Sequence, residues 1–143
     1  MQIAIASDHG GYLLKEAIKK KFFDHKLQDL GCFSEDSVDY PDYAKLLCEE
    51  ILSGKADQGI IVCGTGIGIS ISANRYKGIR AALCLTEHMA EMARKHNDAN
   101  VLALGGRILS EKRAFKIVEK FLATDSEGGR HLRRIRKIDS ITE

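Results

Sequence analysis

Five short apolar runs, separated by stretches whose apolar residues recur every third or fourth position, set the pattern of this chain. The runs are Gln2–Ala6, Leu27–Leu30, Gln58–Cys63, Ile79–Cys84 and Val101–Leu104, and each reads as a strand. The later ones are rich in Ile, Val, Leu and Ala with little polar alternation, the mark of parallel strands covered on both faces. Between them, Ala44, Leu47, Cys48, Ile51 and Leu52 recur at helical spacing. So do Ala114, Ile117, Val118, Phe121 and Leu122, behind a candidate cap at Ser110. Leu14, Ala17, Ile18 and Phe22 form a weaker stripe, Thr86 opens a helix running to about His96, and a last helix spans 127–139. Alternating strand and helix predicts an open α/β sandwich with right-handed crossovers, in one domain over residues 1–143.

Ligands on such sheets sit beyond the carboxyl ends of the strands, which directs attention to the residues that follow each run. Asp8-His9-Gly10-Gly11 follows the first, Cys63-Gly64-Thr65-Gly66-Ile67-Gly68 the third, and Gly105-Gly106-Arg107 the fifth. The central loop lacks the Gly-Lys-Ser/Thr of a Walker A motif. A dinucleotide fingerprint starting at Gly64 needs glycine at 69, which is Ile69. What remains is a glycine-rich strand-to-helix turn whose backbone N–H groups suit an anion, bound or developing. A purely structural tight turn carries the same glycines. Cys63 stands just before it, where a helix start favours thiolate and suits a nucleophile or general base. Cys48 and Cys84 read instead as small buried hydrophobes.

Composition narrows the class. Charged residues (29%) and hydrophobic ones (44%) lie in the ordinary range for a folded soluble domain. The start MQIAIASDHGG lacks the basic and apolar regions of a signal peptide, and the longest uncharged run is too short to span a bilayer. A cytoplasmic protein without membrane contact is expected. The net charge of +2 comes entirely from the C-terminus: residues 127–143 carry five basic and three acidic side chains, and the rest balances at 17 against 17. Such a run is in itself a solvated helix face, and a charge-balanced body argues against nucleic acid as partner. The cysteines at 32, 48, 63 and 84 form no Cys-x-x-Cys pair, and the histidines at 9, 25, 88, 96 and 131 show no i,i+4 pairing. Disulfides and a metal site therefore find little support.

Asp8 is also a reasonable helix cap, and His96-Asn97 in KHNDAN is equally a turn. Arg130 and Arg134, four apart, share a helix face and can fork around one phosphate. A thiol base, an anion hole, histidines and an arginine pair together suit proton transfer on a phosphorylated carbonyl compound, without metal or other cofactor.

The stretches IASDHGG, DYPDYA, CGTGIGISISAN, RKHNDANVLALGGR and EGGRHLRRI resemble the B-type ribose-5-phosphate isomerase family, in order from residue 2 to about 138. The resemblance implies a Rossmann-like three-layer α/β/α sandwich with a five-stranded parallel sheet. It also implies a C-terminal helix that embraces a partner subunit. It assigns the proton-abstracting base to Cys63 with Thr65 beside it, and the cradle of the enediolate to Gly64, Gly66, Ile67 and Gly68. His96 is given the opening of the furanose ring. Asp8 and Asn97 become sugar contacts; His9, Arg107, Arg130 and Arg134 become phosphate and substrate contacts; and Tyr40 lines the pocket. In the family the His96–Asn97 region comes from the neighbouring subunit, which implies a homodimer or homotetramer with a shared site. One branch uses a glutamate base where this chain has Ile69 and lacks the cysteine, so the resemblance is to the thiol branch. It implies interconversion of ribose 5-phosphate and ribulose 5-phosphate in the pentose phosphate pathway. Allose 6-phosphate or galactose 6-phosphate isomerisation is the nearest alternative. A non-catalytic phosphate- or nucleotide-binding module is the alternative from another class, and it leaves Cys63 and His96 without a task.

Overall fold

The computed structural model describes residues 1–141; the last two positions of the expected domain lie outside the described residues. Strands β1 (Ile3–Ser7), β2 (Gln28–Asp29), β3 (Gln58–Cys63), β4 (Ala81–Leu83) and β5 (Val101–Gly105) form one sheet. Its order is β2-β1-β3-β5-β4, with every neighbouring pair parallel. The helices are α1 (Tyr12–Lys21), α2 (Tyr40–Leu52), α3 (Ile67–Ala73), α4 (Glu87–Asn97), α5 (Glu111–Ala123) and α6 (Arg130–Ser140), with a 3-10 turn at Phe23–His25. This is the open α/β sandwich that the alternation of strand and helix predicts, with the Rossmann-like five-stranded parallel sheet that the resemblance implies.

The period-two geometry of strands divides the core. Ile3 and Ile5, Ile60 and Val62, and Leu102 and Leu104 face one layer, where they pack with Ile18, Ile117 and Phe121 of α1 and α5. Ala4 and Ala6, Ile61 and Cys63, and Val101 and Ala103 face the other, against Leu47, Cys48, Ile69 and Ala73 of α2 and α3. β1, β3 and β5 are buried along their whole length, as continuous apolar strands require. The small side chains of β1 on the α2 side leave room for that helix, and Leu47 packs directly over Gly59.

Local chemistry sets the boundaries. Thr86 and Ser110 accept the Met89 and Arg113 amides and so cap α4 and α5, as the sequence suggests. β2 is shorter than expected because Lys26 and Gly31, both at positive φ, turn the chain on either side of it. β4 starts later than expected because Ile79 closes a turn onto the Tyr76 carbonyl. α6 starts at Arg130 rather than Glu127, because Gly128 and Gly129 take positive φ.

Candidate active site

β2 and β3 leave β1 on opposite sides, so the sheet has its topological switch between β1 and β3, where α/β sheets open a crevice at the carboxyl edge. Asp8 and Cys63 emerge there. The main chain ties the loops together: Asp8 donates its N–H to the Val62 carbonyl, Gly106 to Cys63 at 2.8 Å, and Arg107 to Gly64 at 2.9 Å. Asp8 is buried, and its carboxylate accepts the Gly11 amide at 3.1 Å. It therefore closes the turn before α1 rather than capping the helix, whose cap position is Gly11.

Cys63 ends β3 with only 5% of its surface exposed. Its Sγ accepts the N–H of Gly66 at 3.1 Å, and Thr65 Oγ1 accepts that of Ile67 at 3.2 Å. Gly66 is at φ +81°, left-handed, which swings the loop back over the thiol and starts α3. A side chain at 66 would meet Leu83 and the backbone of Leu104. The Arg107 side chain lies across Gly64 and Gly10; Cβ atoms built there would stand 3.5 Å and 3.4 Å from it. Tyr40, at the start of α2, lays its ring against Gly68. His9 accepts the Val38 amide on Nδ1 at 3.2 Å, which leaves the proton of the neutral ring on Nε2. Asp8, His9, Tyr40, Cys63, the glycine loop with Thr65 and Ile67, and Arg107 thus share one edge. Ile69 is wholly buried in the α2/α3 core.

Burial pushes the thiols of Cys48 and Cys84 up to about 12 and about 11, so both stay protonated and inert at neutral pH, as expected of small buried hydrophobes.

The loop carrying His9's partner rests on a buried cation. Lys15 is fully enclosed in α1 and donates to Asp29 at 2.6 Å and Glu16 at 2.9 Å, while Lys19 also reaches Asp29. Burial alone would raise the Asp29 carboxyl; the two lysines and the Gly31 amide outweigh it and hold it below its usual range. Sequence reading missed this support, because a lysine on a helix normally reads as solvated.

His96, Asn97, Arg130 and Arg134 lie elsewhere. α4 runs back against the strands, so His96 and Asn97 stand at the amino edge, beside the start of β5. The five residues of β5 put on the order of 16 Å between that edge and Cys63, too far for one small sugar. Here Arg80, at the amino end of β4, donates Nε to the Asn97 carbonyl and Nη2 to that of Asp98, both at 3.0 Å. Its Nη1 holds the Asp139 carboxylate of α6 at 2.9 Å. Arg94 reaches the Thr124 carbonyl and Glu127 donates its amide to Lys95, so the approach to α6 is stitched to the last turn of α4. His96 and His131 stack at 4.4 Å. Arg130 and Arg134 are exposed on α6, which buries only His131 and Ile135.

A Rossmann-like fold with a thiol under a glycine loop at its switch point is an architecture built to present that thiol beside backbone donors. The family described as Ribose/Galactose Isomerase matches residues 3–138, and the chain belongs to it. A ribose 5-phosphate isomerase structure from Thermotoga maritima is 56% identical, superposes with a TM-score of 0.95, and matches over 98% of both chains. Ribose-5-phosphate isomerase B of Escherichia coli is 40% identical over 99% of this chain and 97% of its own. The Mycoplasma genitalium ribose-5-phosphate isomerase B, solved with bound ribulose-5-phosphate, is 42% identical with a TM-score of 0.90 over 96% of this chain and 93% of its own.

Proposed function

We propose that this chain interconverts ribose 5-phosphate and ribulose 5-phosphate, a step of the pentose phosphate pathway, as a cytoplasmic homodimer or homotetramer. The observation that carries the reading is Cys63 at the switch-point strand end, covered by a loop that delivers an amide hydrogen to its sulfur. Cys63 takes the proton from C2 of the open aldose and returns it to C1. A second proton passes from O2 to O1, so the aldehyde becomes an alcohol and C2 the ketone. The negative charge of the cis-enediolate develops at oxygen, where amides of the Gly64–Gly68 loop other than those bonded to Cys63 and Thr65 are the donors and Thr65 adds a hydroxyl. His96 opens the ring by moving the anomeric hydroxyl proton to the ring oxygen. Asp8 and Asn97 hold sugar hydroxyls, Tyr40 walls the pocket, and His9, Arg107, Arg130 and Arg134 hold the phosphate. No described helix is long and apolar enough to cross a membrane.

Since one chain separates Cys63 from His96 by the length of the sheet, the site we propose is completed by a second copy. That copy presents the α4 end and the α6 arginines to the first copy's thiol edge.

The direct test is ribose 5-phosphate in heavy water with EDTA, followed by proton NMR. Ribulose 5-phosphate with solvent exchange at the reacting carbons is the expected result, abolished in Cys63→Ala. No ketose and no exchange would overturn the five-carbon assignment. Turnover of allose or galactose 6-phosphate instead would move the assignment to six carbons.

A further inference from the structure

The amino edge holds a second cluster of donors. His96, Glu127 and His131 each offer one ligand atom, and all three atoms lie within 4.8 Å of one another. His96 Nε2 stands 3.9 Å from Glu127 Oε1. His131 is 6% exposed, and its Nε2 has no hydrogen-bond partner. Neither Glu127 nor His131 has a part in the chemistry proposed above.

We propose that this cluster is an inhibitory site for a borderline divalent transition-metal ion such as Zn²⁺, which takes His96 as a ligand and withdraws it from ring opening. The proposal of inhibition rests on the isomerase reading; the proposal of binding does not. Two imidazoles and a carboxylate leave a fourth position for water, a donor set that suits Zn²⁺, Co²⁺ and Ni²⁺. Mg²⁺ and Ca²⁺ prefer oxygen ligands, and two of the three donors here are imidazole nitrogens. Ligand distances of about 2.0–2.2 Å require the donors to close by roughly an ångström. His131 is the fixed member; His96, 40% exposed, turns out of its stack on His131 to aim its lone pair at the ion, and Glu127, 47% exposed, swings in beside it. The backbone is already in place, since Glu127 donates its amide to Lys95 at 3.1 Å, one residue before His96. Arg130 and Arg134 stand on the same helix start and oppose a cation. They keep the site weaker than a structural zinc site and favour ions that gain most from imidazole.

The test adds Zn²⁺ alone, and Co²⁺ alone, to the metal-stripped full chain. Calorimetry is expected to give one Zn²⁺ per chain. Co²⁺ is expected to show visible ligand-field bands without the intense near-ultraviolet band of a thiolate ligand. Ribose 5-phosphate turnover falls with Zn²⁺ and returns with EDTA. Glu127→Gln and His131→Asn each weaken binding at least about tenfold, and Glu127→Gln leaves metal-free turnover unchanged. Unaltered Zn²⁺ affinity in both variants, a thiolate band pointing to Cys63, or no binding at all would overturn the site. A chain that binds Zn²⁺ through Glu127 yet never isomerises the sugar would keep the site and remove the isomerase reading instead.

Discussion

The two edges of the sheet hold their functional groups by different means. At the carboxyl edge the backbone does it: Cys63 ends a buried strand, Gly66 folds over it at positive φ, and main-chain bonds from Gly106 and Arg107 lock the loops. At the amino edge side chains do it: Arg80 spans α4 and α6, Arg94 reaches back to Thr124, and His96 stacks on His131. A group held by backbone is fixed when the core packs. A group held by ion pairs and helix ends keeps adjustable geometry, which suits residues proposed to meet a second copy.

The largest expected effect breaks the thiol edge alone. Cys63→Ala should lower turnover about 10²–10⁴-fold, read by the rate of ketose formation, with little change in thermal midpoint. Mixing it with His96→Asn after partial denaturation and refolding should restore about a quarter of wild-type activity, because half the dimers are mixed and one of their two sites is whole. No recovery would mean that both groups serve the same chain's site.

Next comes Gly66→Ala, which strains the left-handed position and presses on Leu83 and Leu104. It should cost at least about 2 kcal/mol in denaturant unfolding and lower turnover with it. Arg134→Ala, at the other edge, should leave stability unchanged and weaken phosphosugar binding by roughly 1.5–3 kcal/mol in calorimetry. An unfolding cost without a binding cost would reverse the contrast between the edges.

The smallest effect is on acid tolerance. The Asp29 carboxyl is depressed in the folded chain, so the folded state binds fewer protons than the unfolded one. The stability that this lends is present above the ordinary carboxylate value, near 4, and is lost as pH falls through the lower folded value. Asp29→Asn should be less stable at neutral pH, with a flatter profile below about pH 4 in denaturant titrations.

Much of the fold was legible because apolar runs such as Gln58–Cys63 and Val101–Leu104 are uninterrupted and the candidate caps at Thr86 and Ser110 do cap their helices. Boundaries of β2 and β4 were not, since positive φ at Lys26 and turn closure at Ile79 are tertiary outcomes. Within the site, the gathering of Asp8, Cys63 and Arg107 followed from strand polarity, which the alternation implies. The separation of His96 from Cys63 follows from the same polarity. The support by Lys15 and Arg80 had no signal, because a buried or half-buried cation depends on partners, here 14 and 59 residues away in the chain. Glu127 and His131 did carry one, an i,i+4 acid–histidine spacing, but their meeting with His96 spans a whole helix and loop.

The position of β5 between β3 and β4 also orders events during synthesis. When β4 leaves the ribosome its partner strand has not yet emerged, and β3 has one edge open. The nascent chain therefore carries two unpaired strand edges until residues 101–105 emerge, a period when a chaperone has something to hold. Arg107 follows at once, so the thiol loop acquires its cover in the same step that completes the sheet.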